Sequence, residues 1–545
     1  MSSFTALVGT GVSRTDIVSA GALMVAGVIT RLPFCSQTLY HWDSVNFALA
    51  TVRFDVAEGQ PHLPGYILYV ALGWLGNLVT HDAQTTFVLL SVLFSGLSAG
   101  AVYCLGATMF SRPTGLAAGV LLLASPLFWF YGEVALPHVV DTFFVISGAL
   151  LLYRVWQGQE RLLLPASCLL AVAGGFRPQT ELFLAPLWLL AAYRARPRTM
   201  LISGATVAIL SALWLVPLLW LVGGIARYQQ LAVGFSQAFR YWEPAEGLLR
   251  GNPSAFLAGG FKLVSYTAYG LGLAIVPPLV FAVAGRRHLG TVLGHRRSIF
   301  VATWIAPALL FYLLVHMGQQ GLVLIFLPAL LLVSAAAIDS LAVQLSPQRV
   351  GLALVGVALI FTAQATFFVV APEYLSWPVH QKVLTWDTIR NRDQRCLSLT
   401  TTIRTMFPPE RTILVGEDWR HVGYYLADYR LVRLPPGDSD EEMEVAPALS
   451  VSAAPRTPAG AVQMLSVGQN TTTVVLVDGD PEQLPRDGVA RRVALASGPP
   501  IYIVELSPYE ELRWVRGRLE LHRPLDSAED SAEQWKAARS ANETP

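Results

Sequence analysis

Eleven apolar stretches of this chain read as membrane-spanning helices. They lie at 17–34, 84–108, 115–131, 137–153, 162–176, 179–193, 199–222, 261–284, 298–315, 321–342 and 350–371. A helix crosses the roughly 30 Å hydrocarbon core with about 20 residues, fewer where it need not cross completely. The runs at 162–176 and 179–193 are short and joined through Gly174–Pro178, the pattern of half-crossing helices around a cavity. A twelfth run, Gly65–Val79, is shorter than a full span and begins at Pro64-Gly65. It reads as a helix lying at the interface or dipping in and out.

Charge divides the chain in two. Of its 75 charged residues, 31 fall in residues 1–371 and 44 in residues 372–545. With 53% hydrophobic and 14% charged residues overall, a single soluble globule and a disordered chain are both excluded. The expected fold is an α-helical polytopic membrane protein of about eleven spans with a small C-terminal α/β extracytoplasmic domain. Its parts are a membrane domain at 1–371, whose first outer loop is 35–83, a linker at 372–386 and a soluble domain at 387–545. A net charge of +1 without a basic stripe gives no reason to expect nucleic acid as a partner. Cys35, Cys104, Cys168 and Cys396 are scattered and have neither disulfide nor metal-ligand spacing.

Sidedness follows from the basic residues. With Gly65–Val79 not crossing, the segments 1–16, 109–114, 154–161, 194–198, 285–297 and 343–349 share one side. They hold 12 of the 19 basic residues of 1–371 and 2 of its 12 acids. The positive-inside rule makes that side cytoplasmic. The first loop, Glu133, Arg177, the 223–260 loop, His316–Gln320 and the C-terminal domain are then outside, so any chemistry is expected at the outer face. The setting expected is the plasma membrane of a bacterium.

The first outer loop reads His41-Trp42-Asp43-Ser44-Val45-Asn46-Phe47, then Phe54-Asp55-Val56, then Gln60-Pro61-His62-Leu63-Pro64-Gly65-Tyr66. This order resembles the GT-C superfamily of membrane glycosyltransferases, near the protein O-mannosyltransferase and lipid-A aminoarabinose transferase branches. Those enzymes place an Asp just after the first span and an Asp-Val-His-Pro-Pro-like segment further along the loop. Asp43 matches the first position, and Phe54-Asp55 with His62-Leu63-Pro64 the second. Ser44 stands where the mannosyltransferases have Glu, and Leu63 replaces the first Pro of the usual pair. The likeness continues through Tyr131-Gly132-Glu133-Val134, Phe176-Arg177-Pro178 and His316-Met317-Gly318-Gln319-Gln320-Gly321. It implies transfer of a sugar from a polyprenyl-phosphate carrier to a lipid, glycan or protein acceptor at the outer face.

The residues suit that chemistry on their own terms. An inverting transfer needs a base for the acceptor proton, and a carboxylate beside the membrane surface is available at neutral pH. Asp43 is the expected base, and a good helix N-cap as well. Asp55 is the second candidate, equally suited to orienting its neighbours. The carrier phosphate is a good leaving group that needs cationic stabilisation, for which Arg177 is suited because an Arg between short apolar helices is costly unless it faces a polar cavity. His62, Glu133, Asp141, His316 and Gln320 complete the candidate donor and acceptor contacts. Asp43, Asp55 and Glu133 also have the oxygen chemistry of a divalent-cation site. The outer loops lack an Asp-x-Asp cluster, however, and transfer without a metal or other cofactor is expected.

In the C-terminal part, Thr412–Gly416, Tyr429–Leu434, Thr473–Asp478 and Ile501–Leu506 read as strands and Trp419–Ala427 as a helix. Pro435–Glu444 reads as a loop and Ser527–Pro545 as a frayed end. Asn470 and Asn542 begin glycosylation sequons. No catalytic motif stands out in this domain, which reads as a lid or docking module. The competing function is a lipid-linked-sugar flippase or transporter without catalysis. A carrier calls for ionisable groups near the midplane and an internal repeat, whereas here the acids gather at the outer rim and no repeat is seen. Sidedness is checked with reporter fusions: one after Arg349 is expected to report cytoplasm and one after Glu373 the outer face. Both ends on one side would exclude eleven spans.

Overall fold

A computed structural model of the chain describes residues 13–239, 244–249, 251, 253–284, 286–345, 350–375, 381–416 and 419–433. In the C-terminal part it also describes 443–445, 460–462, 464–466, 472–477, 484–485, 490–507, 510–515 and 518–522. Asn470 and Asn542 of the sequons, residues 435–442 of the expected loop and the end 527–545 lie outside these residues; Met443 and Glu444, expected in that loop, belong instead to a strand. The chain forms two compact units, Met1–Arg390 and Asn391–Pro545.

The first unit is a helical bundle. Its helices are α1 (Arg14–Arg31), α2 (Trp42–Ala50), α3 (Ile67–Thr80), α4 (Ala83–Met109), α5 (Arg112–Ala124), α6 (Pro126–Tyr131) and α7 (His138–Trp156). There follow α8 (Leu163–Phe176), α9 (Pro178–Ala192), α10 (Pro197–Val222), α11 (Ile225–Phe239), α12 (Pro244–Leu249), α13 (Pro253–Leu271), α14 (Val276–Ala284), α15 (Arg286–Leu314), α16 (Leu327–Leu345) and α17 (Val350–Val370). Among the described residues eight helices are long and apolar enough to cross a membrane, and the chain is an integral multi-pass membrane protein. Every apolar run anticipated from sequence is helical, but three are interrupted. The run 115–131 breaks at Ser125, 261–284 breaks at a tight turn over Gly272–Ile275, and 321–342 breaks at Phe326, between the tight turn Gln320–Ile325 and α16; α15 also kinks at Gly294, ahead of the run 298–315.

The break at Ser125 has a direct cause. Pro126 has no N–H and its ring displaces the carbonyl four residues back, so α5 ends with carbonyls lacking helical partners. In an apolar interior each must find another donor. Arg31 Nη2 donates to Leu123 O at 2.8 Å and Gln364 Nε2 to Ala124 O at 3.0 Å. Ser125 Oγ in turn donates to Gly270 O at 2.6 Å, at the end of α13. Two helix breaks are thus tied together by side chains that would be costly anywhere else in the bundle.

Loops gather at two ends. At one, Asp16 pairs with Arg112 at 2.8 Å, Ser111 and Thr114 donate to Asp339, and Arg297 lies over the Phe110 ring. At the other, Ser36 N donates to Glu133 O, Gln319 reaches Asp43, and Tyr269 donates to Leu384 O. Parts of the first outer loop, Glu133 and Gln319 therefore meet at one end, and Asp16, Arg112 and Asp339 lie at the other. A short hairpin, β1 (Tyr374–Leu375) with β2 (Gln381–Lys382), occupies part of the expected linker.

The second unit contains α18 (Trp386–Met406), of which all but the first turn belongs to it, and α19 (Trp419–Tyr425). Its strands are β3 (Thr412–Gly416), β4 (Arg430–Arg433), β5 (Met443–Val445), β6 (Gly460–Val462), β7 (Met464–Ser466), β8 (Thr472–Leu476), β9 (Arg491–Val493), β10 (Ile501–Leu506), β11 (Glu511–Val515) and β12 (Arg518–His522). One sheet has the order β6-β5-β4-β3-β8-β10-β9, in which β3 runs parallel to both neighbours; a second has the order β12-β11-β7. Ile413, Val415, Val432, Val474, Leu476, Val504 and Leu506 form its core with Leu512 and Leu519 of the second sheet.

Helices of the first unit approach closely because small residues face each other, as interfaces in apolar surroundings require. Gly27 of α1 lies so near Gly96 of α4 that a Cβ on it would stand 2.6 Å from Gly96 Cα, and a Cβ on Gly96 would overlap Met24 O. Gly96→Val is expected to lower the thermal unfolding midpoint of the full-length protein by the equivalent of about 1–3 kcal/mol. Gly21→Val, where a Cβ meets nothing within 4 Å, should leave it nearly unchanged.

Candidate active site

The site begins with the way α2 starts. His41, in extended conformation, caps it: its Nδ1 accepts from Asp43 N at 3.1 Å, and its own N–H is 3.4 Å from Ser44 Oγ. The cap is therefore His41 and not Asp43, whose carboxylate is left for other partners. Residues 43–50 of this helix are buried, and Asp43 itself is 6% exposed.

Three chain segments meet at that carboxylate. Oδ1 is 3.2 Å from His62 Nδ1, while Oδ2 is 3.3 Å from His41 Nδ1 and accepts from Gln319 Nε2 at 2.5 Å. Burial pushes the Asp43 carboxyl up, but the charge of His62 and then the contacts of His41 and Gln319 more than offset it. The group is held well below the usual carboxylate range. His62 lies between two cis peptides, Gln60–Pro61 and Leu63–Pro64. Its ring packs 5.4 Å from Phe47 and 5.0 Å from Tyr66. The chain then turns through Gly65 at φ 109° into Tyr66 at φ 41°, the left-handed region that a tyrosine adopts only when its surroundings hold it there. A Cβ at Gly65 would stand 2.6 Å from Leu218 Cδ1, so this turn needs glycine both for its φ and for its close approach to α10.

A second polar group is built on α7 and the α8–α9 junction. Arg177 is the extended residue between those helices, with φ −154°, so its side chain leaves the helical path. Its Nη1 is 3.4 Å from Asp141 Oδ2, and Thr180 Oγ1 donates to Asp141 Oδ1 at 2.6 Å. Arg177 and Asp141 are 5% and 2% exposed, and Arg177 Nε has no hydrogen-bond partner. One turn before Asp141 on the same helix, His138 lies 4.5 Å from the Tyr131 ring and leaves its Nδ1 unpartnered. His138 lies in the field of Arg177, Asp43, His41 and His62 alike, and Arg177 in that of Tyr66 and Tyr312. The two groups thus border one polar interior region.

The candidates from sequence divide accordingly. Asp43, His62, Asp141 and Arg177 come together. His316 lies nearby, its imidazole pushed down by burial and by Lys262 and Arg177. Gln320 opens a helical turn, Gln320–Ile325; it is its neighbour Gln319 that reaches Asp43. Asp55 belongs elsewhere: it caps the turn Val56–Glu58 and pairs with Arg53 at 2.6 Å. Glu133 is fully buried facing Arg31 and Trp129, and its carboxylate oxygens have no hydrogen-bond partner. Asp43, Asp55 and Glu133 accordingly do not form a common oxygen site. Among the described residues no group of three His, Cys, Asp or Glu is placed to hold a metal ion. Sequence reasoning passed over His41, His138 and Gln319. His41 and Gln319 stood beside chosen residues, and His138 had only the Pro137 before it as a signal.

No protein-family profile matches the sequence, and no curated protein matches it. The fold is similar to that of ArnT from Cupriavidus metallidurans bound to undecaprenyl phosphate, with TM-score 0.54 and 12% identity over 90% of this chain and 97% of that one. It is similar also to ArnT from the same organism in the apo state, with TM-score 0.51 and 12% identity over 88% and 96%. The oligosaccharyltransferase of Archaeoglobus fulgidus in the apo form is more distant, at TM-score 0.47 and 12% identity over 76% and 64%. The fold of this chain, a helical membrane unit followed in sequence by a β-containing C-terminal unit, is similar to that of ArnT along nearly its whole length.

Proposed function

We propose that this protein is a membrane glycosyltransferase that moves a sugar, with inversion, from a polyprenyl-phosphate carrier to an acceptor at the outer face of a bacterial plasma membrane. The observation that carries this reading is the buried Asp43 carboxylate with its two histidines and Gln319, set beside the Arg177–Asp141 pair at the loop end of an ArnT-like unit. The ArnT structure is one bound to undecaprenyl phosphate, which supports a carrier of that chemical class here.

Each group has a task. Asp43 and its histidines form the basic centre at which the acceptor gives up its proton. Arg177 supplies donors to the carrier phosphate, through Nε and whatever part of its fork Asp141 leaves. Asp141 and Thr180 keep the guanidinium oriented and make its burial tolerable. No metal ion or other cofactor is invoked. Asp55 is assigned a structural task, because its carboxylate is already spent on a turn and on Arg53. Eleven spans, a C-terminal unit outside the cytoplasm and a domain boundary between 371 and 387 belong to the same proposal.

The reading is tested by mass spectrometry of envelope glycans and glycoproteins from a deletion strain, which should lack one sugar addition, restored by the wild-type gene. Asp43→Asn is expected not to restore it, since loss of a catalytic base costs about 10²–10⁴ in rate. Because the folded Asp43 carboxyl lies below its unfolded value of about 3.9, the ionised group stabilises the fold above that pH and ceases to as pH falls. Asp43→Asn should therefore have a lower thermal midpoint than wild type at pH 7, with the difference shrinking below pH 4. Normal glycans in the Asp43→Asn strain would remove the first loop from the mechanism.

Arg177→Lys keeps the charge and loses the planar fork. Binding of undecaprenyl phosphate to the purified full-length variant is expected to weaken by about tenfold or more. Unchanged binding would place the phosphate elsewhere.

A further inference from the structure

His138 takes no part in the chemistry assigned above, yet it stands between the two polar groups that carry it. It opens α7, and Asp141 lies three residues on, so the two side chains are neighbours on one face of that helix. Through Asp141 that face meets Arg177. His138 is also packed by the segment that serves Asp43. A Cβ on Gly321 would stand 2.3 Å from His138 Cδ2, and Gln319, two residues earlier, reaches the Asp43 carboxylate. The Tyr131 ring, 4.5 Å away, holds the imidazole from another side. Thr142 Oγ1 donates to His138 O at 2.7 Å, which steadies the first turn that carries it. So enclosed, His138 is 7% exposed and its Nδ1 has no hydrogen-bond partner. A buried nitrogen left unmatched is costly. Bordered by Arg177 and Asp43, it is suited to a polar group that arrives with the substrate.

We infer, resting on the transferase reading above, that His138 binds a hydroxyl of the transferred sugar and so takes part in selecting it. Position and chemistry both point to that group. In an inverting displacement the attacking oxygen and the leaving phosphate lie on opposite faces of the anomeric carbon. The sugar ring then sits between Asp43, on the acceptor side, and Arg177, on the phosphate side, which is where His138 stands. In its neutral form an imidazole offers one donor and one acceptor. A sugar hydroxyl matches either of them. A phosphate oxygen only accepts, and the guanidinium of Arg177 is the better partner for it. The bare carrier, which has no sugar, therefore gains nothing from His138, whereas the loaded carrier gains one hydrogen bond. A pocket built to bond a hydroxyl also discriminates against a sugar that lacks it, because the buried nitrogen is then left unmatched.

The test uses purified full-length protein in detergent. Undecaprenyl-phosphate mannose and its glucose and aminoarabinose counterparts are each offered to the wild type with an envelope extract that supplies acceptors. The donor from which it releases undecaprenyl phosphate is kept. Affinities for that donor and for bare undecaprenyl phosphate are then measured, and their ratio, which does not depend on the fraction of folded protein, is compared between variants. His138→Phe keeps a ring against Tyr131 and removes both nitrogens. It is expected to bind the bare carrier like the wild type and the donor about three- to tenfold more weakly, the worth of one hydrogen bond. His138→Asn, whose amide lies near the position of Nδ1, should recover most of that loss. His138→Ala replaces His138→Phe should the larger ring not fold. A side chain that only packs predicts the reverse order, Phe tolerated better than Asn, and that result overturns the assignment. So does an unchanged ratio in both variants. A wild type that releases the carrier from none of the three donors overturns the transferase reading, and this assignment with it.

Discussion

A buried charge is tolerable only if its surroundings replace the water it has lost, and at Asp43 those surroundings come from three segments of the chain, two of them distant in sequence. His41 arrives as the cap of the same helix, His62 from a proline-bounded turn, and Gln319 from the loop after α15. Each segment contributes one polar atom, and the carboxylate fixes where all three must end. The aromatic packing around it follows from that meeting. Phe47, one turn along α2, is pressed against His62, Tyr66 and Tyr69, and the left-handed turn at Gly65-Tyr66 is what lets α3 set off from there.

The same constraint shapes the bundle below. Where Pro126 breaks a helix, the orphaned carbonyls recruit Arg31 and Gln364. Arg31 lies in the field of the buried Glu133, whose carboxyl burial pushes up and whose oxygens have no hydrogen-bond partner. Its guanidinium also lies 4.4 Å over the Trp129 ring, a contact that helps a buried cation. The proline thus accounts for the burial of Arg31, and Glu133 lies toward Arg31 and Trp129. This is why Glu133, attractive by position and sidedness, is not beside Asp43.

Much of the architecture was legible because membranes impose a coarse code. Helices at the apolar runs and strands at Thr412–Gly416 and Ile501–Leu506 are present as expected. What sequence did not convey is where a helix breaks without ending. Ser125-Pro126 lies inside an unbroken apolar run, and hydropathy takes no account of a missing N–H. The strands Glu511–Val515 and Arg518–His522 were missed for the opposite reason. They are polar at alternate positions and carry little apolar signal, although Leu512 and Leu519 are fully buried.

The candidate site was legible by residue type and less so by partnership. Asp43, His62, Asp141 and Arg177 were singled out individually, but nothing in a linear order says that Asp141 binds Arg177 across 36 positions or that Gln319, not Gln320, faces Asp43. Neighbouring residues in a tight turn point in different directions, and choosing between them needs the backbone. Asp55 shows the converse. Its spacing from His62 is right for a motif, yet an aspartate followed by an open turn finds the N–H groups of Ala57 and Glu58 first, and Arg53 then takes its other oxygen. Of the two candidate acids in the loop, Asp43 and Asp55, one is consumed by local geometry. The other, because its helix was capped by a histidine instead, keeps its charge for the site.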